Sequence, residues 1–186
     1  LAFCCLAPPW QQPTQARWWR QLGNIYLLME NISQGAASYT IASITEDLSY
    51  EDSRRLALLF SMLNMPADGA RVLESAMQRN PDSVDFEQHM LLGELWVMAR
   101  ELDLAIQSFE VAATLAEDGE PAMKLSQLYL QWERYPEARD SLQIAINSYG
   151  EETPEQAYYL LAVVEINLDN LEAASEAIGR LEEDGD

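Results

Sequence analysis

One arrangement of apolar and small residues recurs five times along this chain. A large apolar residue is followed by Gly, Ala or Ser, and three positions later by an aromatic. About nine residues on come a small residue, a large apolar residue four further, and usually Ala three after that. The five passes are Leu22-Gly23…Tyr26…Gly35…Tyr39…Ala42, Leu56-Ala57…Phe60…Gly69…Leu73…Ala76, Leu92-Gly93…Trp96…Ala105…Phe109…Ala112, Leu125-Ser126…Tyr129…Ala138…Leu142…Ala145, and Leu161-Ala162…Glu165…Ala174…Ile178…Leu181. The small residues Gly23, Ala57, Gly93, Ser126 and Ala162 are spaced by 34, 36, 33 and 36 residues. Within each pass the apolar positions keep helical spacing. A repeat of this length with two such stretches is the signature of stacked helix pairs. No segment alternates apolar and polar residues over a strand's length.

The helix limits follow from breakers and caps. Pro8, Pro9 and Pro13 make residues 1–15 an extended linker or the remnant of a preceding repeat. The predicted pairs run roughly 17–29 with 33–43, 50–62 with 66–79, 84–99 with 102–116, 121–132 with 135–148, and 154–168 with 171–182. Ser33 is the expected N-cap of the second helix, and Thr153-Pro154-Glu155 opens the ninth. Pro66 and Pro136 stand in first turns, where a missing N–H does no harm. The repeats occupy about 16–49, 50–85, 86–118, 119–154 and 155–183, with 184–186 an acidic tail. Each pair has an apolar face that only its neighbour can cover, so the expected fold is all-α, a right-handed solenoid. Tyr26, Phe60, Trp96 and Tyr129 belong to the core. Glu165 stands where the other passes have an aromatic, which predicts a terminal pair with a partly wet outer face.

These residues resemble the tetratricopeptide repeat. Trp19-x-x-Leu22-Gly23-x-x-Tyr26 is similar to its opening signature, and the likeness covers about residues 16–183. Gly35 and Gly69 depart from it where Ala is usual. A narrower resemblance rests on the Pro-Pro linker before Trp18-Trp19-Arg20-Gln21-Leu22-Gly23, on Leu56-Ala57-Leu58-Leu59-Phe60, Met65-Pro66 and Ala70-Arg71-Val72-Leu73-Glu74, and on Leu91-Leu92-Gly93 and Ala113-x-x-Ala116-Glu117-Asp118-Gly119-Glu120. It is to tetratricopeptide proteins of Gram-negative bacteria encoded beside TonB–ExbB–ExbD energy-transduction systems. It implies a periplasmic accessory of TonB-dependent transport, with TonB-system components among the partners and this chain as the C-terminal part of a longer exported protein.

In such solenoids the first helix of each pair lines the groove. Counting from the small residue names the groove positions: Arg20, Asn24 and Leu27; Arg54 and Leu58; Met90, Glu94 and Val97; Met123, Gln127 and Leu130; Tyr159, Val163 and Ile166. The groove begins basic and becomes apolar with an acidic rim. Met90, Met123, Leu130, Tyr159, Val163 and Ile166 lack an obvious partner within the repeats, which points to a protein or peptide, a second copy, or missing C-terminal residues. Arg20 and Asn24 match two positions of the family's carboxylate-holding basic clamp, but Arg55, Glu87 and Leu91 break it.

Charge narrows the partner. Formal net charge is −20, but residues 1–80 hold six Arg against seven acids, while residues 81–186 hold five basic residues against 24 acids. Such a surface repels nucleic-acid phosphates and anionic membranes. It either attracts a basic partner or serves as solvated surface. His89 is the only histidine, and Cys4 and Cys5 are adjacent, so neither a structural disulfide nor a common metal site is expected. There is no phosphate loop or nucleophile motif. The reading is a non-catalytic protein-interaction scaffold without cofactor or metal; the other readings are a self-associating structural module and a cytoplasmic peptide-binding adaptor.

Overall fold

A computed structural model describes residues 15–81 and 84–183. The predicted linker at 1–15, with its prolines and both cysteines, lies outside them except for Gln15, and so does the acidic tail at 184–186. The described residues form ten α-helices joined by short turns, with no strand among them. They are α1 (Ala16–Leu28), α2 (Ile32–Thr45), α3 (Tyr50–Met62), α4 (Pro66–Arg79), α5 (Phe86–Met98), α6 (Leu102–Leu115), α7 (Glu120–Gln131), α8 (Tyr135–Tyr149), α9 (Glu155–Asn167) and α10 (Leu171–Glu183). The 3-10 turn Gly150–Glu152 follows α8 and was not anticipated from the sequence.

The chain divides into two compact units, 1–83 with 95–101, and 84–94 with 102–186. In the first, α1 packs on α2, α2 on α3 and α3 on α4. In the second, α6 packs on α7, α7 on α8, α8 on α9 and α9 on α10. Each unit is therefore a run of helices in which sequence neighbours are also spatial neighbours. In the first unit, Ala16, Ala36, Tyr39, Ala42, Leu48, Leu56 and Leu59 form one buried cluster, with Trp19, Leu27, Ile32, Phe60, Leu63 and Val72 packed around it. Of the four recurring aromatics, Trp96 and Tyr129 are buried, and Tyr26 and Phe60 are half-buried.

Close approach explains the small residues. A Cβ on Gly93 would lie 2.6 Å from Cε1 of Phe109, so the ring takes the space a side chain would need. The two departures from Ala have the same cause. A Cβ on Gly35 would lie 2.6 Å from Cδ2 of Leu27, and one on Gly69 would lie 2.6 Å from the carbonyl oxygen of Ala57. At Gly69 the obstacle is backbone, which cannot swing aside.

The turn inside each pair is a single structure used five times. Glu30, Asn64, Arg100, Glu133 and Asp169 all have φ between 57° and 60°, and each lies seven residues after the small residue of its first helix. The next backbone N–H reaches back to the carbonyl of the recurring aromatic position: Asn31 to Tyr26, Met65 to Phe60, Glu101 to Trp96, Arg134 to Tyr129 and Asn170 to Glu165, all at 2.8–2.9 Å. This is the Schellman ending, usually built on glycine, here built without it. Two helix starts differ from the expectation. Asn31, not Ser33, caps α2, accepting from the Gln34 N–H at 3.2 Å. Thr153 does not cap α9; its hydroxyl donates to the Gly150 carbonyl at 2.6 Å and serves the preceding turn.

Two substitutions test this geometry. Gly69→Ala forces the Ala57 carbonyl aside and is expected to cost about 1–3 kcal/mol in urea unfolding. Glu133→Gly, at an exposed left-handed position, is expected to raise stability by about 0.5–1 kcal/mol, because glycine carries no Cβ penalty there; a loss of stability instead would show that the turn does not set the strain.

Candidate interaction surface

In the first unit the exposed face of α1 and α3 carries a polar network. Arg20 Nη1 donates to Asp52 Oδ2 at 3.1 Å, and Arg55 Nη1 lies 3.9 Å from Asp52 Oδ1. Tyr39, from α2, donates its hydroxyl to Asn24 Oδ1 at 2.8 Å and accepts from Arg55 Nη1 at 2.7 Å. Arg55 also donates to Asn24 Oδ1 at 3.2 Å, and its guanidinium sits 5.8 Å from the Tyr39 ring centre. The tyrosine hydroxyl pushes the Arg55 pKa up, against the opposing effect of burial. The network thus includes Arg20 and Asn24. Asp52, Arg55 and Tyr39 complete the network and were missed as site residues. The signal was present: Asp52 and Arg55 stand one helical turn apart on α3, facing the basic residues of α1. Both arginines hold Asp52, so the network is a tied bridge between pairs more than an open cationic site. Leu27 is half-buried against Gly35; Arg54 and Leu58 are exposed; Val97, on the part of α5 that belongs to this unit, is half-buried.

The second unit corrects two expectations. Met90 and Met123 are buried, so they are not open apolar groove surface. An unbranched thioether readily fills gaps between helices, which is how both are used here. Gln127 and Leu130 are half-buried. Glu94 is exposed and accepts from Lys124 Nζ at 3.3 Å. The stripe on α9 stays open: Tyr159 is 59% exposed and Ile166 49%, with half-buried Val163 between them. Their spacing of four and three places them on one helix face.

Glu165 is also corrected. It is only 3% exposed, not partly wet, and its Oε2 accepts from Asn170 Nδ2 at 3.0 Å. Asn170 belongs to the turn after α9, so the turn itself supplies the polar partner that the missing aromatic made necessary. Beside Glu165 lies a pocket of about 370 Å3 between α8, α9 and α10, lined by Gln143, Asn147, Tyr158 and Arg180 among others. A second pocket, of about 270 Å3, lies between α2, α3 and α4 in the first unit.

His89 is half-buried, and desolvation lowers its pKa, the behaviour of a packed imidazole. Among the described residues, no group of three His, Cys, Asp or Glu is placed to hold a metal ion. No helix of the described residues is long and apolar enough to cross a membrane.

The fold is that of tetratricopeptide helix pairs. A crystal structure of MamA superposes with a TM-score of 0.72 at 15% identity, covering 93% of this chain and 92% of that one. MamA residues 41 to the end from Desulfovibrio magneticus RS-1 gives 0.66 at 16% identity, covering 92% and 97%. YrrB, described as a TPR protein with an unusual peptide-binding site, gives 0.68 at 16% identity, covering 93% and 88%. At these identities the likeness is one of fold. No family model matches the sequence, and no curated protein does.

Burial and a hydrogen bond from its hydroxyl to Glu110 at 3.1 Å push the Tyr129 pKa up to about 12. The nearby Glu110 charge adds to this, and the Arg134 guanidinium, 4.7 Å from the ring centre, opposes it. The unfolded phenol ionises near 10. The contribution is therefore whole below pH 10 and is lost as pH rises toward 12, since only the unfolded chain releases the proton there. Alkaline unfolding curves of the parent and Tyr129→Phe are expected to differ in slope over that window, by about 2–3 kcal/mol in total; parallel curves would contradict the assignment.

Proposed function

We propose that this chain is a non-catalytic scaffold that captures a protein segment carrying apolar side chains and basic residues. The observation that carries the reading is the Tyr159–Val163–Ile166 stripe on α9, exposed to solvent within a strongly acidic part of the chain. Two large apolar side chains left in water on one helix face match the way a helix face takes a partner's apolar side chains. The 24 acids against five basic residues in 81–186 favour a basic partner and speed its approach. A fold shared with a peptide-binding TPR protein supports the same reading. The resemblance to proteins encoded beside TonB–ExbB–ExbD systems supports a periplasmic setting, with a component of such a system as the partner. The groove positions Gln127 and Leu130 would extend the contact within the second unit, and Arg54 and Leu58 would offer a separate one in the first. Self-association is the second reading, favoured by the same uncovered stripe, which a second copy would bury equally well.

The test pairs capture with assembly state. Tyr159→Asp together with Ile166→Asp is expected to reduce capture of the soluble domains of TonB and ExbD at least tenfold, while circular dichroism stays that of the parent, since both positions are exposed. Retained capture removes α9 from the interface. Sedimentation of the parent separates the two readings: a monomer at high concentration that still captures a partner excludes self-association, and a dimer lost in the double variant replaces the partner reading with it.

A further inference from the structure

Four residues before the small residue of each first helix, the five pairs carry Trp19, Ser53, His89, Ala122 and Tyr158. In the first pair Trp19 packs against the buried cluster that includes Ala16, Ala36 and Tyr39. The second pair has a hydroxymethyl group in the place of that indole. Ser53 lines the pocket of about 270 Å3 between α2, α3 and α4. Ser53 is 1% exposed, and its Oγ is buried without a hydrogen-bond partner. Serines within helices commonly satisfy the hydroxyl on the carbonyl of the preceding turn, as Ser38 and Ser108 do at 2.8 Å. Ser53 does not, and a hydroxyl so placed is incomplete without a ligand or water.

The rest of the lining indicates what kind of ligand fits. Leu48 and Val72 supply apolar wall. Arg71 and Arg79 supply guanidinium groups. Arg71 Nη1 donates to Asp68 Oδ1 at 3.1 Å, and Arg79 Nη1 to Asp47 Oδ1 at 2.6 Å. A guanidinium has five N–H donors, so each arginine keeps donors beyond that bond. No carboxylate lines the pocket itself. Residues 1–80 are nearly neutral, six Arg against seven acids, whereas the remainder of the chain would repel an anion.

We propose that this pocket binds an aromatic carboxylate. The ring takes the space that an aromatic side chain fills in the first pair, lying against Leu48 and Val72. A ring N–H or hydroxyl meets Ser53 Oγ, and the carboxylate is held by the spare donors of Arg71 and Arg79. The ligand is either a free aromatic acid or the C-terminal aromatic residue of another chain. The pocket is separate from the α9 stripe, so the failure of one assignment leaves the other standing.

Calorimetric titration of the whole chain with N-acetyltryptophan and with its amide tests this. The acid is expected to bind about tenfold or more tightly than the amide, with affinity falling as salt rises. Arg71→Gln and Arg79→Gln, at the surface, are expected to weaken the acid about fivefold or more each and leave the melting temperature unchanged. Ser53→Trp is expected to close the pocket and abolish binding; the arginine variants decide the matter if that protein does not fold. A six-residue peptide ending in tryptophan, with free or amidated C-terminus, distinguishes the sources: binding of the free-ended peptide as tightly as the acid assigns the site to a chain terminus, and binding of the acid alone assigns it to a small molecule. Equal affinity for acid and amide, affinity unchanged by both arginine variants, or no binding at millimolar acid would overturn the proposal and leave a water-filled void.

Discussion

Each helix pair of this chain has an apolar side that its own two helices cannot cover. Everything else in the structure answers to that constraint. Before a pair can present that side, its own two helices must close on each other, and closeness requires that the residues where they meet be small. Gly23, Ala57, Gly93, Ser126 and Ala162 are buried at the contact positions of the five first helices. Between them the rings of Tyr39 and Phe109 occupy the space that a larger residue at Gly23 or Gly93 would claim. The period of the sequence is therefore the period of a packing contact.

The same constraint governs the polar features. Once helices are held close, any residue out of pattern must be accommodated locally. Glu165 replaces an aromatic and is met by Asn170 from the following turn. Ser53 stands at the register position of Trp19, lines a pocket and has an unpaired hydroxyl. Asp52 ties Arg20 of one pair to Arg55 of the next and joins the pairs across their polar edge. Partly exposed pairs of this kind add modest stability, of order 0–1 kcal/mol each. Their larger effect is to hold neighbouring helices in one register, because each fixes a side chain from one pair against the next.

Function follows from what the stacking leaves uncovered. Among the described residues the groove does not survive as one apolar strip, because Met90 and Met123 turn inward. The α9 stripe stays open, in the part of the chain, 81–186, that carries 24 acids against five basic residues. Under the proposed scaffold reading, the negative charge of this part would steer a basic partner at a distance, and shape would hold it on contact. The first unit offers instead a tied polar network and a pocket with spare guanidinium donors, a different chemistry from the second.

Much of the fold was legible in the sequence. The repeat spacing, the helix pairs to within a few residues at their ends, and the burial of Trp96 and Tyr129 all follow from the 3.6-residue period and the position of small residues. Three matters were decided only by the tertiary structure. The left-handed turns at Glu30, Asn64, Arg100, Glu133 and Asp169 fall on four residue types and never on glycine, so only the backbone reveals their common form. The inward turn of Met90 and Met123 depends on gaps between helices, which a one-dimensional pattern does not encode. The burial of Glu165 depends on a partner five residues away that only a turn brings round. The sequence by itself determined which helices pair, because periodic apolar faces must be covered; the fold decided which side chains were left exposed, because that depends on the volume remaining after the faces have met.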